Sequence, residues 1–454
     1  MEIVTKRAGI LLRCAALAAI MALLPLSAAA QEEADEPEDR SKQDLPLEGW
    51  DENRWMSIDL TEGSWISVDV SPDGQTIAFD LLGDLYTIPI DGGDATQITT
   101  GMAFDAQPRF SPDGSQIVFT SDRDGGQNIW IAAADGSNPT QISEGSSNRA
   151  ESPEWTPDGD YIVASMGGFR GGGPPVPQLF HVDGGSGIKI FRGEGLRKSL
   201  GSALTPDGRY IWFSRRQTTR DWDYNAQLPA YHIAVYDRET GNTFTRVSRY
   251  GGAFRPTLSA DGLNLVYGTR HEDQTGLMIR DLETSEERWL AYPVQHDDQE
   301  SRGTLDVLPG MSFTPDGSAL IASYGGKLWS IPVAGGDAVE IPFRVQTEVE
   351  VGALVDFDYP IEDTPTFMVR QIRDAVPSPA GEMIAFSSLD RLWTANMDGT
   401  DPREVLHDDV GLIAQFPAWS ADGEWLAFTS WDGDSGSIYK VQPDGDELTR
   451  LAAS

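Results

Sequence analysis

The chain has 454 residues, with 34 Lys and Arg against 71 Asp and Glu, a net charge of −37. That balance argues against nucleic acid or an anionic membrane surface as a partner, because both recruit basic proteins. Thirteen Trp, 17 Phe and 12 Tyr supply a core, while 47 Gly and 28 Pro favour many turns over long helices.

Residues 1–30 read as a secretory signal peptide. Lys6 and Arg7 open it, a mostly apolar stretch runs from Ala8 to Leu26, and Ala28-Ala29-Ala30 offers a cleavage site before Gln31. The single cysteine, Cys14, falls inside it, so the mature chain is expected to lack disulfides and thiolate-held metal. No later stretch approaches the ~20 consecutive apolar residues of a membrane helix. The expected product is periplasmic or secreted, with no transmembrane segment after cleavage. Residues 31–49 are acidic and nearly free of apolar side chains, which predicts a flexible leader. The repeats occupy 50–454.

Ser57 to Thr61 predicts an outer strand. It is expected to complete the final blade, either as a fifth strand in an eight-blade ring or on a further unit. After it, a tetrapeptide near Ser-Pro-Asp-Gly recurs at 71–74, 111–114, 156–159, 205–208, 259–262, 314–317, 378–381 and 420–423. Successive spacings are 40, 45, 49, 54, 55, 64 and 42 residues, a blade-type period. Ser or Thr bonds locally, Pro fixes φ and Gly takes the left-handed conformation, so the motif is a structural turn. A short strand precedes each turn. An alternating strand follows it (QIVFT, 116–120), then one carrying Tyr or Trp (IWIA, 129–132), then a Gly turn and an outer strand. Four short strands per unit make one propeller blade, and the aromatics of the third strand read as packing between blades. The fold class is therefore all-β, a β-propeller of about eight four-stranded units.

Insertions stretch the middle units at 165–180, 215–232, 292–310 and near 345–377. Loops on a rigid scaffold are where binding usually sits. Arg215, Arg216, Arg220, Trp222 and Tyr224 read as a rim that clamps an anionic or peptide ligand, or else as arginines pairing Asp221 and Asp223. His296, Asp297, Asp298 and Arg302, in the third insertion, are the other rim candidates.

The block FSPDGSQIVFTSDRDGGQNIWIAAADGSNPTQIS (110–143) and its relatives resemble the TolB family of periplasmic propellers, from about residue 55 onward. EGSWISVDVSPDGQTIAFDLLGDLYTIPIDGGDATQIT (62–99), DWDYNAQLPAYHIAVYDRETG (221–241) and PVQHDDQES (293–301) also resemble the propeller half of exported proteins in which such blades precede an amidohydrolase domain. The resemblance implies a propeller and leaves the activity open. Its departures are Ala for Pro at Ala260 and Ala421, and Ala380 in place of Asp.

An amidohydrolase needs a His-x-His pair with further His and Asp ligands to hold a water-activating metal. His181, His232, His271, His296 and His407 include no such pair. GGSGI (184–188) and GDSGS (433–437) lack the spacing and context of a nucleophile elbow. Asp432 and Asp434 sit in a stretch that fits a hairpin better than a calcium loop. No catalytic set, metal site or cofactor is expected. The leading expectation is an exported non-catalytic propeller that binds a protein or peptide ligand, or gates substrate access. The alternatives are the leading part of a metal-dependent amidohydrolase, with a fused C-terminal catalytic domain beyond Ser454, and a Tol–Pal-type envelope component.

Overall fold

The computed structural model describes residues 54–453 apart from 169–172, 191–195, 219–227, 352–362, 407–410, 432 and 434. The signal peptide (1–30) and leader (31–49) lie outside the described residues. Among those described, every regular element is a strand. Eight four-stranded antiparallel sheets follow the eight tetrapeptides, each a meander from innermost to outermost strand. In the first blade the strands are Val68–Val70, Thr76–Leu81, Asp84–Pro89 and Thr96–Gln97.

The chain divides into two compact units, Met1–Val355 and Asp356–Ser454. The first holds six blades, spanning 68–97, 106–141, 148–189, 199–247, 254–291 and 312–341, and these close on themselves. Val68 N donates to Gly310 O at 3.0 Å, Gly63 N to Gly326 O at 3.0 Å and Ser323 Oγ to Ile66 O at 2.5 Å. Ile77, Phe79 and Tyr86 of the first blade share one apolar cluster with Ile321, Leu328 and Ile341 of the sixth. The second unit holds the other two blades, 373–404 and 415–453. The repeat count read from the tetrapeptides is eight, and the ring that closes has six.

The strand expected at 57–61 is present as Arg54–Leu60, but its partner is not the outer edge of a final blade. It pairs antiparallel with Phe343–Val351, which in turn lies parallel to Gly93–Asp94 beside the first blade. Ile58 and Leu60 pack on the cluster joining first and sixth blades, so this ribbon covers the closure. The alternating FRVQTEVEV run that sequence reading placed in an insertion is the other half of the ribbon.

The tetrapeptide builds its turn as expected. Ser111 Oγ donates to Asp113 Oδ1 at 2.6 Å and accepts from Gln116 N at 3.0 Å, while Asp113 Oδ1 also accepts Ser115 N. Those bonds hold the Asp113 carboxyl down at about 2. The motif also joins neighbours. A Cβ on Gly114 would sit 3.4 Å from Pro72, one on Gly208 3.7 Å from Pro157 and one on Gly262 3.0 Å from Pro206. Each glycine thus lies against the proline of the preceding blade. Gly317 meets nothing within 4 Å, because the preceding tetrapeptide has Ala260 in place of Pro. Third-strand aromatics, read from sequence as packing between blades, stack within their own blade at two places: Tyr86 on its ladder partner Phe79 with centroids 5.6 Å apart, and Tyr439 on Phe428 at 5.6 Å.

Candidate functional site

The innermost strands of the six-blade ring surround its central channel, and each must accommodate side chains converging on the axis. Four of the six carry a bulge. In the second, third, fourth and fifth blades the register between first and second strand slips at Gln107, Ser152, Gly201 and Arg255, all at positive φ. A bulge frees a backbone N–H from the ladder, and a buried one needs another acceptor. Gln107 N donates to Asp80 Oδ2 at 2.7 Å, Ser152 N to Gln107 Oε1 at 2.8 Å and Arg255 N to Ser214 Oγ at 2.7 Å. Each of these three bulges is therefore fastened to the preceding blade. Burial pushes the Asp80 carboxyl up to about 7, although the N–H bonds from Gln107 and Ser67 favour its charged form.

The segment 292–311, linking fifth and sixth blades, folds across the channel. Trp65 Nε1 donates to Leu305 O at 3.0 Å, Arg149 Nη2 to Arg302 O at 3.1 Å and Arg216 Nη1 to Gln299 O at 2.9 Å. Lys198 Nζ also donates to Arg302 O. Asp306 Oδ2 receives Arg255 Nη1 at 2.9 Å and Ser152 Oγ at 2.5 Å. First, third, fourth and fifth blades all hold this one segment, and Asp297, Gln299, Asp306, Val307 and Leu308 are buried in it.

This places the sequence-predicted residues. Arg216 is buried rather than on a rim, its guanidinium 5.4 Å over the Tyr231 ring and bonded to Gln299 O. Arg215 lies opposite His232 in the ladder, where burial, helped by Arg215 and Arg197, holds the imidazole neutral down to about 4. Arg220, Trp222 and Tyr224 lie outside the described residues. Asp297 is buried against Arg270, which also bonds Glu300, and accepts Thr275 Oγ1 at 2.5 Å. Asp298 accepts Ser301 Oγ at 2.5 Å. His296 is exposed, and Arg302 contributes its carbonyl to the channel while its residue surface faces solvent. The structure joins Arg216 to the 292–311 segment, in which His296 is an exposed residue.

On the side of the tetrapeptide turns, the ends of the innermost strands surround a cavity of about 390 Å³. Pro72, Pro157 and Pro315 stand among its lining residues, together with Met311, the last residue of the crossing segment. Its cationic group is Arg109, with Nη1 3.0 Å from Asp69 Oδ1 and Nε 3.3 Å from Glu154 Oε2. Arg109 Nη1 also donates to Val68 O at 3.2 Å and Met311 O at 3.1 Å, fixing the guanidinium between three elements. Glu154 is pushed up to about 7 by burial, against the pull of Arg109 toward ionisation. Ser202 lines the same cavity, and its Oγ is buried with no hydrogen-bond partner among the described residues. Sequence reading missed this set because Arg109, Glu154 and Ser202 lie in short strands that look like ordinary blade filler. The one available signal was polarity at the first strand, where PRF, PEW and GSA replace an all-apolar pattern.

Among the described residues, no group of three or more His, Cys, Asp or Glu is placed to hold a metal ion. Nor is any helix there long and apolar enough to cross a membrane.

Four-stranded meander sheets around a channel define the class: a β-propeller. Residues 67–249 match the family described as the Tricorn protease N-terminal beta propeller domain. Tricorn protease homolog 1 of Streptomyces coelicolor is 32% identical over 379 residues, covering 80% of this chain and 32% of that protein. Tol-Pal system protein TolB of Francisella tularensis subsp. mediasiatica is 33% identical over 192 residues, covering 31% of this chain and 44% of that protein. The crystal structure of the tricorn protease superposes with a TM-score of 0.48 at 15% identity, over 87% of this chain and 40% of that one. Within the propeller class, this chain carries a TolB-like propeller. It spans about a third of the length of the first relative and less than half of the second.

Proposed function

We propose that the six-blade ring is an exported binding module that receives a protruding segment of a protein or peptide partner in the turn-side cavity. The observation that carries this reading is the pairing of an open cavity of about 390 Å³ with a channel crossed by 292–311. A site open at one mouth favours capture over passage, so binding is preferred to gating. The chemistry on offer is a fixed guanidinium at Arg109, the Glu154 carboxyl, and a free hydroxyl at Ser202. A partner group that donates to Glu154 and Ser202 without displacing Arg109 suits it, such as a backbone amide or a neutral side-chain amide. Export rests on the residues of the 1–30 segment, and amino-terminal sequencing of the periplasmic product beginning at Gln31 would bear it out.

The test is a selection of displayed random peptides on the purified chain, followed by calorimetry with the selected peptides. Ser202→Trp fills the cavity from a residue outside the Arg109 network. Loss of peptide binding with an unchanged melting curve supports the reading. Equal binding by wild type and S202W removes it.

A second reading has its own observation. The chain aligns to only 32% of the length of the Streptomyces relative. On this reading the propeller is the leading part of a larger enzyme whose chemistry lies on other domains, and the cavity presents substrate or a partner to them.

A further inference from the structure

The fifth blade departs from its neighbours at the end of the strands opposite the tetrapeptide. Its second and third strands, Asn264–His271 and Gln274–Asp281, stay paired out to His271 with Gln274. In the first blade the ladder runs one pair beyond Asp80–Leu85, to Leu81–Asp84, and in the sixth one pair beyond Ser323–Leu328, to Tyr324–Lys327. In the fifth it runs three pairs beyond the equivalent Gly268–Leu277. The sixth blade turns there on Gly325 and Gly326, whereas the fifth turns on two acids, Glu272 and Asp273. Glu272 sits at φ +53°, a left-handed conformation that favours glycine or asparagine.

Three ring side chains gather beside this turn. His271 lies 5.9 Å from Trp289 and 5.9 Å from Tyr292, and Trp289 lies 5.0 Å from Tyr292, with the rings inclined at 45–61° to one another. Gly276 seats two of them, because a Cβ there would fall 2.6 Å from the Trp289 ring and 2.6 Å from the Tyr292 ring. At the same ladder position the first, second, fourth and sixth blades carry Asp84, Asn128, His232 and Lys327. Tyr292 Oη donates to His271 O at 3.0 Å, which ties its ring to the turn. Rings fixed in this way still face solvent: Trp289 is 38% exposed, Tyr292 40%, and His271 is exposed. The cations nearby in sequence are engaged elsewhere. Arg270 pairs with Asp297 and Glu300, and Arg288 donates to Val333 O of the sixth blade. Among the described residues neither Glu272 nor Asp273 has an ion-pair partner. Burial, and then the negative charges of Glu272 and Asp273, push the Tyr292 hydroxyl up.

We propose that this corner of the fifth blade binds an arginine side chain of a protein partner, the guanidinium lying over the Trp289 and Tyr292 rings with its N–H groups turned to Glu272 and Asp273. Charge selects a cation. Aromatic faces attract one, and two carboxylates without ion-pair partners stand beside them on a chain of net charge −37. Shape selects guanidinium over ammonium, because its plane stacks on a ring while its edge still forks onto a carboxylate. A neutral sugar would use the rings and leave the two acids without a counter-charge. The corner lies at the other end of the strands from the turn-side cavity, so it stands whether or not that cavity takes a peptide. Tyr292 also opens the 292–311 segment, so a partner seated here touches the element that crosses the channel.

The test follows the Trp289 indole N–H by NMR in the full chain labelled with 15N-tryptophan, its signal among the 13 identified by its loss in Trp289→Phe. The probes are a capped Gly-Arg-Gly peptide and the same peptide with citrulline, which keeps the shape and removes the charge. Both are titrated at about 0.15 M salt, where general attraction to an acidic surface is screened. The arginine peptide is expected to shift the Trp289 signal saturably, with the citrulline peptide at least tenfold weaker. A chain carrying Glu272→Gln and Asp273→Asn should also bind the arginine peptide at least tenfold more weakly, with an unchanged melting curve because both side chains are exposed. No shift, equal shifts with the two peptides, or equal binding by the double variant overturns the proposal. So does a larger shift with cellotriose than with the arginine peptide at the same concentration, since the rings would then be a sugar platform. Broadening of the Trp289 signal that grows with chain concentration in the absence of peptide overturns it as well, by making a second copy the occupant.

Discussion

Arg255 Nη1 lies 2.9 Å from Asp306 Oδ2, and both side chains are buried. Arg255 is a bulge residue of the fifth blade and Asp306 belongs to the segment crossing the channel, so one ion pair fixes the crossing to the wall. Asp306 also accepts Ser152 Oγ of the third blade and, through Oδ1, the backbone N–H of Val307 at 2.6 Å. Removing one partner of a buried pair strands the other and typically costs about 3–5 kcal/mol. Asp306→Ala should therefore lower the denaturant midpoint strongly and open 292–311 to protease. Melting within a degree of wild type would show that the crossing is held elsewhere.

Glu154 gives the cavity a pH dependence whose sign follows from its raised carboxyl. The folded protein keeps the proton up to about 7, whereas an unfolded glutamate releases it near 4.5. Between those values the native state binds more protons, so this residue's contribution to stability falls as pH rises through that window and levels off above it. Glu154→Gln should flatten that part of the curve. Urea midpoints at pH 5 and pH 8 measure it: the drop from pH 5 to pH 8 should be larger in wild type than in E154Q. The same drop in both would place the titration on other groups.

The missing proline of the fifth tetrapeptide is a repairable notch. Ala260 sits where Pro72, Pro157 and Pro206 each meet the next blade's glycine, and Gly317 beyond it has open space. Proline at a compatible position gains about 0.4–1 kcal/mol by restricting the unfolded chain. Ala260→Pro is expected to raise the melting temperature slightly, with added contact to Gly317. A loss of stability would mean that the backbone at 260 differs from its counterparts.

Gly136 and Gly399 occupy the same outer turn of the second and seventh blades, both at φ +82°. An alanine at either incurs the left-handed cost of about 1–2 kcal/mol. At Gly136 its Cβ would also fall 1.7 Å from Ile98 O of the first blade, whereas at Gly399 nothing lies within 4 Å. Gly136→Ala should be the more damaging of the two in side-by-side unfolding curves. Equal losses would point to backbone strain alone.

Arg216→Ala tests the boundary between rim and wall. The guanidinium bonds Gln299 O and lies over Tyr231, so its loss should cost about 1–3 kcal/mol and loosen the crossing segment. Unchanged melting together with unchanged proteolysis at 292–311 would return Arg216 to a surface role.

The blade, its turn and its aromatic third strand were legible because they are local. Ser111, Asp113 and Gly114 bond within a few residues of one another, and alternation in 116–120 already declares which side is buried. What escaped was set by partners far away in the chain. Arg54–Leu60 finds its mate almost 300 residues on, and no pattern within either strand encodes that pairing. The grouping into six and two depends on which blade meets the first, a matter of curvature accumulated over the ring. Asp297 and Gln299 look like surface loop residues in sequence. They are buried because Arg270, Gly251 and Arg216 supply the bonds that water would otherwise provide. The bulges at Gln107, Ser152 and Arg255 left no trace, since none carries the glycine that usually advertises positive φ.

The crossing segment makes the channel a cup instead of a pipe. On the proposed reading, a guest that enters past Pro72 and Pro157 stops near Met311 and backs out along the same path. Occupancy is then exclusive in time: one guest must depart before the next arrives, and a bulky body resting on the lip traps a small one beneath it. Residence times set at the lip, rather than contacts at depth alone, would govern how fast the cup refills.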